Sequence, residues 1–249
     1  MGSYEFLAGC YDQLTTDVGY EHWADFLEKL FARSGRQVHT VLDLACGTGS
    51  LTRALALRGY EMIGVDRSEE MLCQAAEKCR DLPQPPLFLC QSMEKLDLYG
   101  TVDACVCCLD SVNYVTRPNL LARAFGRVHL FLEPGGIFIF DINTPEKLRA
   151  MDGQVFLDET EDTYCVWRGE YSLRRHICTY YMDLFRRVEG DRWERGVEIH
   201  QEYAYQPQEL EQMLGEAGFV RPRTYGDRKL RAPYPGEERI FFTAHKEDK

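Results

Sequence analysis

No apolar run in this sequence approaches the ~20 residues that a helix needs to cross a bilayer, so a membrane-spanning helix is not expected. The opening stretch "MGSYEFLAGCYDQL" lacks a basic segment followed by an apolar one, which argues against a signal peptide. Gly2 stands where a myristoylation signal begins, but Phe6 stands where Ser or Thr is needed, so no lipid anchor is expected. Positive charge is scarce: 29 Lys and Arg against 40 Asp and Glu give a formal charge of −11. Phosphate neutralisation supplies most of the affinity for nucleic acid, so a large nucleic-acid partner is not expected. The most basic stretch, "FRRVEGDRWER" (185–195), alternates in sign and reads as a solvated hairpin tip. No second CxxC accompanies Cys105 and Cys108, and strand alternation sends those two to opposite faces, so no metal site is expected. The ten cysteines read as small buried thiols in a reducing, cytoplasmic setting. There is no internal repeat and no low-complexity segment.

What is present is alternation. From about 38 to 142, short apolar runs alternate with helical patterns. "VHTVLDL" (38–44), "EMIGVD" (61–66), "PLFLCQ" (86–91), "DACVCCL" (103–109) and "IFIFDI" (137–142) read as strands, the last preceded by a helix-breaking Pro-Gly-Gly. Ser68 caps a helix whose first residues are Glu69 and Glu70. Strands apolar on both faces, joined by helices, mean a parallel sheet covered on both sides. From 154 to 203 the pattern changes to four extended segments. Trp193, Arg195, Val197, Ile199, Gln201 and Tyr203 share one face of the last; Cys178, Tyr180, Met182 and Leu184 share one side of its neighbour. A helix over "QPQELEQMLGEAGF" and two strands, near 219–225 and 238–245, complete the chain.

The chemistry concentrates at "VLDLACGTGS" (41–50). Gly47 and Gly49 follow the first strand, where ligands of such sheets bind and where backbone must bend tightly. Thr52 replaces the third glycine of the dinucleotide fingerprint, which weakens a NAD(P)-dependent oxidoreductase reading. The second strand ends at Asp66, about 20 residues on, where an acid can accept from both ribose hydroxyls. The third ends in Gln91, Ser92 and Met93, suited to an adenine ring. The fourth ends in "LDSVNYV", polar and aromatic.

The series "VLDLACGTGS…GVDRSEEML…CQSMEKLDL…DACVCCLDSVNYV…LEPGGIFIFDIN" resembles class I S-adenosylmethionine (SAM)-dependent methyltransferases, and is similar to an uncharacterised bacterial branch of small-molecule enzymes within them. The resemblance covers roughly 38–142 and the last helix and strands. It implies an α/β fold, a Rossmann-like seven-stranded sheet in the order 3-2-1-4-5-7-6, with an antiparallel β insertion after strand 5. The expected units are an N-terminal helical cap (1–36), a SAM-binding domain (37–145 and 206–249) and the insertion (146–205), acting as substrate lid, as dimer contact through Tyr180, Met182, Val197 and Ile199, or both. The implied cofactor is SAM; the implied partner is a small-molecule methyl acceptor, with the protein a monomer or homodimer.

Carried over residue by residue, the family's pattern assigns Asp43, Ala45, Cys46 and Gly47 to the amino-acid end of SAM and Asp66 to its ribose, with Gly49 also among the cofactor-binding residues. Arg67, Met71, Gln91, Ser92 and Met93 surround the adenine. Leu109, Asp110 and Asn113 line the methyl side, and Tyr11 and Trp23 close the pocket. Candidate catalytic groups are Asn113, Tyr114 and Asp141, with Asn143, His176 and His200 beside them. Asp12 can equally be a helix cap, and Arg168, Arg174 and Arg175 can recognise an anionic substrate or be solvated strand charges. An RNA methyltransferase is the alternative within the family; the acidity and "LDSV" in place of an Asn/Asp-Pro-Pro-Tyr motif weigh against it. A protein that binds SAM without turnover is the non-enzymatic alternative.

Overall fold

The strand order of the main sheet is set by one reversed strand near the C-terminus. The computed structural model describes residues 6–9 and 11–248; Gly2 and Cys10, noted above, lie outside the described residues. A 3-10 turn at Leu7–Gly9 and helices α1 (Tyr11–Leu14) and α2 (Tyr20–Arg33) precede the sheet. Then follow β1 (Thr40–Leu44), α3 (Ser50–Leu57), β2 (Glu61–Asp66), α4 (Glu69–Lys78), β3 (Leu87–Cys90), β4 (Val102–Cys107), α5 (Pro118–Phe131) and β5 (Leu132–Asn143). Next come α6 (Pro145–Ala150), β6 (Val155–Glu159), β7 (Thr163–Ser172), β8 (Ile177–Glu189) and β9 (Arg192–Tyr203). The chain closes with α7 (Pro207–Glu216), β10 (Phe219–Gly226) and β11 (Arg239–Lys246).

Seven strands form one sheet in the order β3-β2-β1-β4-β5-β11-β10, with β11 antiparallel to both neighbours. By position this is the expected 3-2-1-4-5-7-6. Strands β6 to β9 form a separate four-stranded antiparallel sheet. Both faces of the large sheet are apolar. Leu42, Cys105, Phe138 and Phe140 pack toward α5 and α7, while Val41, Val106, Ile139 and Phe241 pack toward α2 and α3. Burial of each such Leu or Phe contributes about 1.5–3 kcal/mol. Cys105 and Cys108 fall in these two different cores, as strand alternation requires. The nine cysteines among the described residues are all free, and those residues contain no cluster suited to a metal ion. No described helix is long and apolar enough to cross a membrane.

Three local expectations need correction. Pro-Gly-Gly does not precede β5 but lies inside it, because a register shift between Val102 and Ala104 accommodates it. A Cβ on Gly136 would stand 2.8 Å from the Glu133 carbonyl oxygen, so only glycine passes there. Helix α6 occupies a segment expected to hold only strands; Thr144 caps it by accepting from the Lys147 amide (3.3 Å), with Pro145 at its first position. Finally, the face of β9 carrying Val197 and Ile199 points outward, leaving these residues 51% and 54% exposed, while Glu198, His200 and Glu202 are buried. Tyr180 and Met182 point the other way, inward, so these four residues do not form one contact surface.

Candidate active site

The loop after β1 bends through three left-handed residues: Ala45 (φ 63°), Gly47 (φ 54°) and Gly49 (φ 72°). The Cys46 amide still bonds to the Val65 carbonyl (3.0 Å), so the bend begins at the last rung of the ladder. Gly49 caps α3, and a Cβ there would lie 2.8 Å from the Ala75 Cβ of α4. Gly49→Ala is therefore expected to destabilise the fold by roughly 2–4 kcal/mol, from left-handed strain plus overpacking. A urea titration checks this: the midpoint should fall at an unchanged slope, and an unchanged midpoint would refute close packing of α3 on α4. Around Gly47 nothing lies within 4 Å of an added Cβ, so its backbone borders open space.

The carboxylate of Asp66 joins this bend directly. Its Oδ2 accepts from the Gly47 amide and its Oδ1 from the Ser68 amide, both at 2.9 Å. Each oxygen keeps a further lone pair. Asp43 sits beneath, buried, and accepts from Thr52 Oγ1 at 2.6 Å. Burial pushes its carboxyl up to about 6; the Thr52 bond opposes this and the Asp66 charge adds to it. Asp12 reaches over from α1 rather than serving only its own helix. It accepts from Thr48 Oγ1 (2.7 Å) and pairs with Lys78 (2.7 Å), tying the N-terminal segment to the glycine-rich loop.

The opposite wall comes from the ends of β4 and β5. Leu109 (φ 59°) and Asp110 (φ 52°) are left-handed without being glycine, a costly backbone that clusters at functional sites. Asp141 holds them there: its Oδ2 accepts from the Asp110 amide (3.0 Å) and from Arg239. Arg239 also donates to Asp110 Oδ1 at 2.7 Å. Burial pushes the Asp141 carboxyl up to about 6, against the pull of Arg239.

The four-stranded sheet supplies the roof. Trp167, Tyr180, Met182, His200 and Glu202 face the same cavity, joined by Lys147 of α6 and by Met151 just after it. His200 Nε2 lies 2.8 Å from Glu198 Oε2, and Glu198 Oε1 accepts from the amides of Phe6 (2.9 Å) and Leu7 (2.8 Å). Glu202 accepts from Asn143 Nδ2 at 2.9 Å. The loops after β1, β2, β3 and β4 and this roof line one cavity of about 630 Å³, within the range of small-molecule sites.

Most of the expected site residues line that cavity: Tyr11, Asp43, Ala45, Cys46, Gly47, Asp66, Arg67, Met71, Gln91, Ser92, Met93, Leu109, Asp110, Tyr114, Asn143 and His200. The Gln91 side-chain amide, however, is committed to Asp97, through bonds of 2.8 and 3.1 Å. Four expected residues are not on the cavity wall. Gly49 is occupied with helix packing, as above. Trp23 is 3% exposed, tilted against Phe241 behind the wall (5.3 Å between rings) and under Arg239 (5.4 Å). Asn113 is fully buried, its amide shared among the Asn143 backbone and the Tyr203 carbonyl (3.0–3.1 Å). Asp141 is fully buried beneath Arg239. Of the other candidates, His176, Arg168, Arg174 and Arg175 also lie off the cavity. Sequence reasoning passed over Arg239, Lys147 and Glu202. For Glu202 a signal existed, since "VEIHQE" places ionisable residues at every second position, but that pattern does not say which set faces in.

A family model described as a methyltransferase domain matches residues 41–136, spanning β1 to the Pro-Gly-Gly within β5. "Putative methyltransferase YqeM" of Bacillus subtilis (strain 168) is 34% identical over 245 residues, 98% of this chain and 97% of that protein. The chain belongs to the SAM-dependent methyltransferases. "Putative methyltransferase GWCH70_2453" of Geobacillus sp. (strain WCH70) is 30% identical, covering 98% of this methyltransferase and 100% of its relative. A crystal structure of a SAM-dependent methyltransferase from Clostridium acetobutylicum ATCC 824 superposes with a TM-score of 0.87 at 30% identity, covering 98% and 99% of the two chains. SAM is thus the methyl donor of this methyltransferase, and the site chemistry fits it. The bend at 45–49 carries the Gly47 backbone along open space, Asp66 retains acceptor capacity, and carboxylates suit a sulfonium.

Proposed function

We propose that the methyltransferase acts on a small-molecule acceptor, in line with the donor methyl, inside the cavity between the glycine-rich loop and the four-stranded sheet. One observation carries this reading: the loops that suit SAM and the roof from β7, β8 and β9 border a single cavity. The sheet then acts as a lid that excludes water from the acceptor side. A macromolecular acceptor would have to thread one group under that roof.

In this reading Asp66 accepts from the ribose hydroxyls, while Asp43, Ala45, Cys46 and Gly47 hold the amino-acid end. Arg67, Met71, Ser92 and Met93 surround the adenine, and Gln91 contributes by shape, since its amide is engaged. Leu109 and Asp110 border the methyl side, with Tyr114 beside His200 at 6.0 Å between rings. Tyr11 closes the pocket, and the Asp12–Lys78 pair holds it down. Asn113 and Asp141 act by positioning, through Asn143 and Arg239 respectively. When bound, SAM supplies an electrophilic methyl on a sulfonium sulfur. The chain's contribution is alignment and exclusion of water, which in favourable systems lowers a barrier by ~7–11 kcal/mol.

S-adenosylhomocysteine at a hundred times its dissociation constant is expected to stabilise the fold by about 2.7 kcal/mol. In a chain of this size that raises the melting temperature by about 5–10 °C. Thermal denaturation checks it, with NADH as the control expected to give no shift; the reverse pattern would contradict the cofactor assignment. Incubation of a metabolite extract with methyl-labelled SAM tests the acceptor: label should enter low-mass compounds. Label confined to RNA or protein would refute the small-molecule reading.

A further inference from the structure

Strand β9 is built the wrong way round for a simple lid. Its outward positions carry Val197 and Ile199, more than half exposed, while its inward positions carry Glu198, His200 and Glu202. Placing an acid where an apolar residue would fit costs several kcal/mol unless a partner compensates it. Glu198 has its partners within the chain: the Phe6 and Leu7 amides and His200. Glu202 has one hydrogen bond among the described residues, from Asn143 Nδ2 at 2.9 Å. The nearby cations are committed elsewhere. Lys147 donates to Asn143 Oδ1 (2.8 Å), and Arg239 is paired with Asp110 and Asp141, so no ion pair to Glu202 forms among the described residues. Glu202 nevertheless lines the cavity, on the same roof as Trp167, Tyr180 and Met182.

We infer that the acceptor is an amine, which docks as an ammonium group on the carboxylate of Glu202 and gives that carboxylate its proton before methylation. This rests on the cavity reading above and names its substrate class. An ammonium supplies the missing cation and a charge-assisted hydrogen bond, and aromatic faces beside it favour the charge further. A carboxylate or phosphate acceptor would meet like charge at Glu202 and Asp110, and a neutral hydroxyl would bring no charge to pair with the ionised form of Glu202. Burial and the Asp110 charge raise the proton affinity of Glu202 well above the ordinary carboxylate range, against the pull of Asn143, Lys147 and Arg239. Such a carboxyl can hold a proton near neutrality, which an ordinary one does not. In the proton transfer an N–H bond breaks and an O–H bond forms on Glu202. The freed lone pair makes the new N–C bond as the methyl–sulfur bond breaks onto sulfur. The product leaves as an N-methylammonium ion, and Glu202 returns its proton to solvent. Asn143 is a positioning residue here, held by Asn113.

Calorimetry on the enzyme saturated with S-adenosylhomocysteine tests this, using benzylamine against benzyl alcohol and cyclohexylamine against cyclohexanol at pH 7.5. Each amine is expected to bind at least tenfold tighter than its alcohol. In Glu202→Gln that preference should fall below threefold, while affinity for S-adenosylhomocysteine stays within twofold. Amines that bind no tighter than the alcohols, or not at all, overturn the proposal; so does an amine preference that survives in Glu202→Gln. If the variant does not fold, the wild-type comparison decides alone. Failure of wild-type enzyme to bind S-adenosylhomocysteine would instead defeat the cofactor reading, so the two failures are distinct. In the labelled extract, the methyl should lie on nitrogen; label only on oxygen, carbon or sulfur would overturn the proposal.

Discussion

Asp66→Ala is expected to weaken S-adenosylhomocysteine binding by more than tenfold, with the chain still folded. Two effects add. A charged acceptor for the ribose hydroxyls is removed, and hydrogen bonds to charged groups are each worth about 1.5–3 kcal/mol. The same carboxylate also fixes the Gly47 and Ser68 amides at 2.9 Å, so the left-handed bend at 45–49 loses its anchor. Asp66→Asn separates the two. It keeps one acceptor oxygen but presents an amide nitrogen to Gly47 or Ser68, so its loss should be of similar size if anchoring dominates. Isothermal calorimetry on both variants reads this directly. Unchanged affinity in folded Asp66→Ala would remove Asp66 from the site.

Arg239→Met carries the largest expected loss of stability, about 3–5 kcal/mol, because it strands a buried carboxylate. Asp141 is fully buried and Asp110 partly so, and both pair with this one guanidinium. The deficit has a definite pH dependence. Burial already pushes Asp141 up to about 6, above its unfolded value, and Arg239 opposes that rise. Without Arg239 the folded state holds its proton still more firmly. A raised folded-state value means stability is fully present at low pH and lost as pH climbs through that value. The deficit should therefore be small near pH 4–5 and full at pH 8. Urea titrations at the two pH values check it. Adding Asp141→Asn to Arg239→Met should recover part of the loss, since it removes the stranded charge. A deficit of equal size at both pH values would contradict the ion-pair account.

The large sheet was legible because its strands are apolar on both faces and end in turn signals. β2 (Glu61–Asp66) coincides with the run read from the sequence, and Ser68 caps α4 by accepting from the Met71 amide at 3.2 Å. The cofactor side was legible because its residues sit at strand ends, where order along the chain is also order in space. The acceptor side was not, because its partners are distant in sequence. Glu202 meets Asn143 across 59 residues, and Glu198 meets Leu7 across 191. Alternation on β9 gave the period but not the parity, and these remote hydrogen bonds decide which parity faces inward. Asp141 and Asn113 were placed near the site by the same strand-end rule. They lie one layer behind it because Asp141 is drawn under Arg239 and the Asn113 amide is fully used by backbone. Trp23 follows the buried face of α2 onto Phe241 rather than reaching the cavity.

A crystal structure of the complex with S-adenosylhomocysteine is the most direct test. The expected result is a ribose within hydrogen-bonding distance of the Asp66 carboxylate, the homocysteine tail against backbone at 45–47, and the sulfur facing the roof that carries Glu202. Ligand bound elsewhere, or a nucleoside that touches the bend but leaves Asp66 uncontacted, would contradict it.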